Sequence, residues 1–260
     1  MISTNSKFLA LLILLCVGFG CKNFSRLMNK GGMVYTVEIQ TDEPNKDEIV
    51  ERAIKVTQSR IDNVGLDGEV AKVPDQPNQI SVKLYGAKDP ERIKKFLFTT
   101  NQLELKKVGG SSYQTFPTKA AAELSATKDQ EVLLFSERAD DSGPQKFIIV
   151  EKTAIITGAA IRTASAYSRT GQAGDYQIQF SLTPEGAQKF GDWTGKNIGS
   201  YLAIVLDKKV ISAPVIKGQI FDSGTIEGRF TKESAEDLAL SLKSGYLSAT
   251  MNLLEEKPFD

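Results

Sequence analysis

No histidine occurs anywhere in the 260 residues. That absence removes every triad built on an imidazole base, and most zinc sites with it. Cysteine is nearly as scarce: Cys16 and Cys21 are the only two, both close to the N-terminus. Everything downstream therefore has no disulfide, no thiol nucleophile and no sulfur ligand. Charge of one sign is missing too, since 32 Lys plus Arg face 32 Asp plus Glu. A nucleic-acid binder needs an excess of phosphate-neutralising cations, so no nucleic-acid partner is expected. Serine and lysine abound, but no spacing singles out a Ser–Lys pair. The expectation is a chain that is not an enzyme and carries no cofactor or metal.

Long hydrophobic runs are also rare. The one that exists lies in "MISTNSKFLALLILLCVGFGCKN", where Phe8 to Cys21 is uncharged between Lys7 and Lys22. As a helix this run spans about 21 Å, short of the roughly 30 Å hydrocarbon core. A secretory signal or anchor over residues 1–21 fits better than an ordinary membrane span. Gly20 before Cys21 resembles a bacterial lipoprotein cleavage site, although Gly18 and Phe19 depart from the usual pattern. Three readings stay open: lipidation of Cys21, an uncleaved short anchor, or a soluble secreted chain. The first two tether the protein to a membrane of the bacterial envelope with its bulk outside the cytoplasm, in the periplasm.

After a linker at 22–32 the chain alternates in a regular way. "MVYTVEIQ" sets Tyr35, Val37 and Ile39 on one face, the period of a half-buried strand. Val50, Ala53, Thr57, Ile61 and Val64 recur at helical spacing, and Gly65 is placed to end that helix. "GEVAKV" and "NQISVKLYG" read as strands, the latter with Ile80, Val82 and Leu84 inward. Asp89-Pro90-Glu91 starts a second helix, with Asp89 capping and Pro90 first. "QLELKKV" is a fourth strand, with Leu103 and Leu105 inward. The order β-α-β-β-α-β is the split βαβ, ferredoxin-like arrangement.

From Gly109 the texture changes to polar, loop-rich connectors around short strands near 132–135 and 147–150. Asp140-Asp141 reads as a solvated turn rather than a metal pair. A strand "DYQIQFSL" and a helix capped by Thr183 follow. Next comes an apolar hairpin, "YLAIVLDKKVISAPVIKGQI", with Leu202, Ile204 and Leu206 on one face. A strand "GTIEGRF" precedes a helix that buries Ala235, Leu238, Ala239 and Leu242. The last strand is "LSATMNLLEE". Two α+β units are expected.

The hairpin within "TGKNIGSYLAIVLDKKVISAPVIKG", followed by "GTIEGRFTKESAEDLALSLKSG", resembles the first periplasmic domain of the SecD family. These are accessory subunits of the bacterial Sec protein-export machinery. The likeness extends through "PEGAQKFGDWTG", "IITGAAIRTA", "DPERIKKFLFTTNQLELKKV" and "NKGGMVYTVEIQ", hence over nearly all of residues 29–254. It implies an α+β fold: a ferredoxin-like base at 33–108, an inserted head at 109–246, a returning base strand at 247–254 and a tail at 255–260. It also implies a head that meets unfolded translocating polypeptide beside Sec translocase subunits. The alternative is an envelope lipoprotein using the same fold as an adaptor or scaffold.

Two departures stand out. Lys208 occupies the hairpin turn where the family usually has glycine, and Met28 stands about where it has an acid. The chain also reaches Asp260 without the family's later membrane helices, so no proton coupling by these residues is expected. Candidate peptide contacts are Phe180, Phe190, Trp193 and Pro214, although the three aromatics also suit a core. Pro214 suits a strand end or edge. Gly109-Gly110 and Ser244-Gly245 fall where the chain is expected to leave and re-enter the base, as a candidate hinge.

Overall fold

The first strand, β1 (Gly32–Gln40), buries Tyr35, Val37 and Ile39 as its period of two requires. This computed structural model describes residues 31–87, 89–100, 102–110, 113–136, 145–170, 175–247 and 249–259. Cys21, the apolar leader and the Asp140-Asp141 turn lie outside the described residues. Helix α1 (Lys46–Asn63) follows, with Val50, Ala53, Thr57 and Ile61 on its buried stripe. Val64 ends it, its N–H donating back to Arg60 O, and Gly65 takes φ 71° just beyond. Strands β2 (Asp67–Val73) and β3 (Gln76–Tyr85) form an antiparallel pair, and β3 pairs with β1. Helix α2 (Pro90–Phe98) starts as its sequence dictates: Asp89 Oδ1 accepts from Arg92 N at 3.1 Å, with Pro90 in the first turn.

Here the structure departs from the sequence reading. "QLELKKV" does form a strand, β4 (Leu103–Lys107), but it does not join β1–β3. It enters a seven-stranded sheet with β5 (Thr115–Phe116), β6 (Gln130–Phe135), β7 (Lys146–Glu151) and β8 (Ile156–Thr157). A short helix α3 (Lys119–Glu123) lies between β5 and β6. Then β9 (Ile161–Ser168), β10 (Tyr176–Leu182) and helix α4 (Pro184–Lys196) lead to the hairpin β11 (Leu202–Leu206) and β12 (Lys209–Ser212). Strand β13 (Ser223–Phe230), helix α5 (Lys232–Ser244) and strand β14 (Thr250–Phe259) complete the chain.

The fourth place in the base sheet is taken by β14, antiparallel to β1, giving the order β14-β1-β3-β2. That is the ferredoxin-like order, with the head inserted between α2 and the last strand. The returning strand thus runs 250–259 rather than 247–254, though Leu247 and Ala249 are already in the base core. The reason lies in burial: β4 is covered on both faces, so its alternation carries no instruction about which sheet it joins.

The head has two sheets. The larger runs β5-β7-β6-β12-β11-β4-β8, and the smaller runs β13-β10-β9. A bridge between Val108 and Val150 brings the ends of β4 and β7 together, so the large sheet curls into a partly closed barrel. Its outer face (Leu103, Leu105, Leu202, Ile204, Ile211) packs with the small sheet and α5 into the main head core. Its inner face (Val108, Leu133, Ile148, Ala203, Val205, Val210) fills the barrel.

Candidate functional site

The β11–β12 hairpin turns through Asp207 and Lys208, at φ 47° and 63°. Two central residues with positive φ match the right-handed twist of the flanking strands. Asp207 is anchored there: its Oδ1 accepts from Thr100 Oγ1 at 2.6 Å and Gln102 N at 2.8 Å, and its N–H donates to Gln102 O. The turn therefore sits against the segment by which the chain leaves the base.

The barrel interior changes character along its axis. At the turn end Lys106, 1% exposed, donates to Lys152 O at 2.8 Å and pairs with Glu131 and, at 3.4 Å, with Glu104. Lys208 Nζ reaches the other Glu104 oxygen at 3.2 Å. At the far end Tyr113 meets Phe135 edge to face and Tyr201 at a tilt, with ring centroids 6.1 and 5.2 Å away. Beyond that aromatic end opens a groove of about 480 Å³ between the end of β12 and the edge of β13, within the usual range for binding sites. Tyr113, Tyr176, Ser212, Ala213, Pro214 and Arg229 are among its walls.

Pro214 also borders a smaller, more apolar hollow of about 320 Å³ with Leu202, Val215, Ile216 and Ile220. The loop forming it is pinned to α4: Ile220 N donates to buried Thr194 Oγ1 at 2.9 Å, and Gln219 Nε2 to Gly191 O at 3.2 Å. Val215 and Phe221 on this loop, and Ile198 just after α4, are exposed large apolar side chains. Thr194 was missed by the sequence reading. Its only signal was a polar residue on the buried side of a helix.

The sequence-derived candidates separate. Phe180 and Phe190 are 4% and 1% exposed within the main head core, out of reach of a passing chain in this conformation. The aromatic spacing that suggested a lining is core spacing. Trp193 is half-buried against the same core, while Pro214 is exposed at the groove. Gly109 and Gly110 lie inside the head, where Gly109 N donates to Ile149 O, because β4 has already joined the head sheet. Ser244 and Gly245 do stand where the chain returns to the base. Ser244 Oγ accepts from Asn63 Nδ2 at 3.0 Å, and Gly245 adopts φ 109°, ψ 160°.

Between base and head lies a cleft of about 930 Å³. Arg92 of α2 bridges it to Asp237 at 2.9 Å and Glu233 at 3.1 Å, both on α5. Among the described residues no group of three or more His, Cys, Asp or Glu is placed to hold a metal ion. Also among them, no helix is long and apolar enough to cross a membrane.

A ferredoxin-like base interrupted before its last strand by an α+β head is the two-part architecture of a P1 periplasmic domain. Comparison with known proteins gives the same answer. Residues 50–110 match the family model for the N-terminal part of the SecDF P1 domain, and residues 131–249 that for its head subdomain. The chain belongs to the SecD/SecDF P1-domain family. Protein translocase subunit SecD of Aquifex aeolicus is 39% identical over 212 residues, covering 82% of this chain and 40% of that protein. SecD of Koribacter versatilis is 36% identical over 215 residues, covering 82% and 39%. The chain thus spans about two fifths of the length of these curated relatives. A solved chain of SecDF, described as a membrane component that enhances protein export, is 28% identical with a TM-score of 0.63. That match covers 85% of this chain and 98% of the solved one.

Proposed function

We propose that this protein is an extracytoplasmic, membrane-anchored polypeptide-binding module that assists Sec-dependent protein export. The observation that carries the reading is that the likeness to SecD and SecDF runs through base and head alike. The head supplies what a holder of unfolded chain needs: a groove, a neighbouring apolar hollow and the exposed Val215, Phe221 and Ile198. Its partners in this reading are the translocating polypeptide and Sec translocase subunits. The anchor is the N-terminal segment, by lipid on Cys21 or by the apolar run itself. Ser244-Gly245 serves as the return half of the joint between base and head.

Such holding has to be weak, because a tightly bound chain could not be passed onward. Dissociation constants on the order of micromolar or weaker are expected, equivalent to about 8 kcal/mol or less. The test is a photo-crosslinking residue at Val215 in intact cells during export of a stalled secretory chain. Adducts from Val215, and none from Gln76 on the base, are expected. Equal labelling from both positions, or none from Val215, overturns the reading.

A further inference from the structure

The cleft between base and head, at about 930 Å³, lies toward the upper end of the range for small-molecule sites. Its walls come from α2, the β11–β12 hairpin, the end of β13, α5 and β14. Phe98, Leu206, Phe230, Leu238, Met251 and Leu253 make its interior apolar. Leu253 is 40% exposed, so the apolar lining runs out to solvent. Beside it Leu254, the extra residue where β14 slips register against β1, is exposed as well. A bulge sets two residues against one and re-aims their side chains, here leaving two successive leucines uncovered beside the cleft.

The rim of this cleft carries charge of both signs, unevenly spread. Asp89 and Glu91 stand at the start of α2, and Glu233 and Asp237 stand on α5 across from it. Two cations lie among these four carboxylates. Arg92 reaches Asp237 and Glu233, and Lys94 is shared between Glu91 at 2.7 Å and Glu256 of β14 at 2.9 Å. Lys95 is different. It is exposed in the cleft wall, and among the described residues its ammonium has neither ion pair nor hydrogen bond. One helical turn separates it from Glu91, about 6 Å along the axis. The rim is thus acidic at one point and basic a turn away, above an apolar interior.

From the apolar interior and the two-signed rim, we infer that the cleft binds a single-chain zwitterionic phospholipid, a lysophosphatidylethanolamine, with its acyl chain along Leu206, Leu238 and Leu253. Its phosphate is set against Lys95 and its ammonium against the carboxylates of α2 and α5. Removing the chain from water supplies the affinity, and the two charges select the head group. The inference goes beyond the polypeptide-binding reading and borrows from it only the membrane anchor, which keeps the cleft beside a supply of lipid.

The test is photo-labelling of the full chain with a lysophosphatidylethanolamine that carries a diazirine in its acyl chain, kept below micelle-forming concentrations. Peptide mass spectrometry then maps the adducts. Saturable adducts on the peptides holding Leu206, Leu238 and Leu253 are expected. Unlabelled lysophosphatidylethanolamine should displace them about tenfold better than dodecyl phosphate, dodecylammonium or dodecyl maltoside, which each lack one charge or both. In Lys95→Glu the advantage over dodecylammonium should vanish. Leu253→Glu, at an exposed position, should cut labelling of the cleft about tenfold, whereas Leu124→Glu, exposed on the head, should leave it unchanged. Cleft labelling that survives Leu253→Glu, adducts confined to the apolar run at 8–21, or equal displacement by all four amphiphiles overturns the inference. None of these results touches the broader reading, which fails only if Val215 captures no exported chain in cells.

Discussion

At the scale of single residues, the instructive positions are those that pay for their places. Lys208 has φ 63° at the second central position of a two-residue hairpin turn. A left-handed conformation costs a side-chain-bearing residue roughly 1–2 kcal/mol, while glycine's entropic handicap is about 0.5–1 kcal/mol. The ion pair from Lys208 to Glu104 involves an exposed lysine and is worth about 0–1 kcal/mol. Lys208→Gly, which creates the favoured Asp-Gly turn, is therefore expected to stabilise the protein by about 0.5 kcal/mol. Denaturant titration would show a higher midpoint at an unchanged slope; a lower midpoint means that the ion pair outweighs the strain. Arg60 is paid for differently. Fully buried, it donates to the carbonyls of Leu97 and Thr99, each at 2.7 Å, and so fastens the end of α2 where the chain departs for the head. Burial pulls its guanidinium down to about 10, with the charge of Asp207 opposing. Because that value lies below the ordinary one, the desolvation weighs against folding at every pH below about 10 and is relieved only above it. Between pH 6 and 9 Arg60 adds no pH dependence to stability. Tyr35 is the remaining oddity: its hydroxyl is buried without a hydrogen-bond partner among the described residues, and desolvation pushes the phenol up.

At the scale of elements, β4 carries most of the information that the sequence did not yield. Its neighbours were legible because their signals are local. Asp89, Thr183 and Thr231 cap their helices through hydrogen bonds to residues three further on, and the one-sided alternation of β1 and β3 points to a single core. The buried stripe of α5 was equally plain, with Ala235, Leu238, Ala239 and Leu242 all covered. Strand β4 alternates as well, but between two interiors, the main head core and the barrel. Nothing within five residues tells such a strand where to pair, and a partner about a hundred positions away, β11, decides it. The same doubling hid the groove, because it is assembled from β12, β13 and Tyr113, which no local pattern connects. It also hid the ion cluster at Lys106. Removing one member of a buried ion pair costs about 3–5 kcal/mol, whereas replacing both by apolar groups is far milder. Lys106→Met is therefore expected to lose several kcal/mol, and Lys106→Met with Glu131→Leu to recover much of it, since Glu104 keeps Lys208. A double-mutant cycle by denaturant unfolding checks this. Additive losses would mean that Glu131 and Lys106 act independently of each other.

At the scale of the whole molecule, base and head each have their own core, and what joins them is thin. Leu240 of α5 packs on the base core, Asn63 donates to Ser244, and Gln102 Nε2 donates to the Tyr246 hydroxyl at 3.0 Å. Asp207 of the hairpin turn accepts from Thr100 and Gln102 where the chain leaves the base, and Arg92 bridges the cleft to Asp237 and Glu233. Exposed pairs of that kind contribute about 0–1 kcal/mol each and weaken as salt rises. That is small against the stability of either core, yet comparable with the energy that separates two orientations of subdomains joined by two strands of chain. One of those strands passes through Gly245, whose φ of 109° only glycine takes readily, so the backbone there is already free to turn. Arg92→Ala should therefore leave unfolding nearly unchanged, within about 1 kcal/mol, while shifting how the head sits on the base. Dyes on Gln76→Cys in the base and Leu124→Cys in the head, with Cys16 and Cys21 replaced by serine, would report it. Single-molecule energy transfer is expected to show a broader distance distribution for Arg92→Ala than for the parent. High salt should broaden the parent in the same direction and leave the variant unmoved. Identical distributions for parent and variant at low salt would assign the orientation to Leu240 and the Asn63–Ser244 contact instead, and the charged bridge would be a surface ornament of a rigid joint.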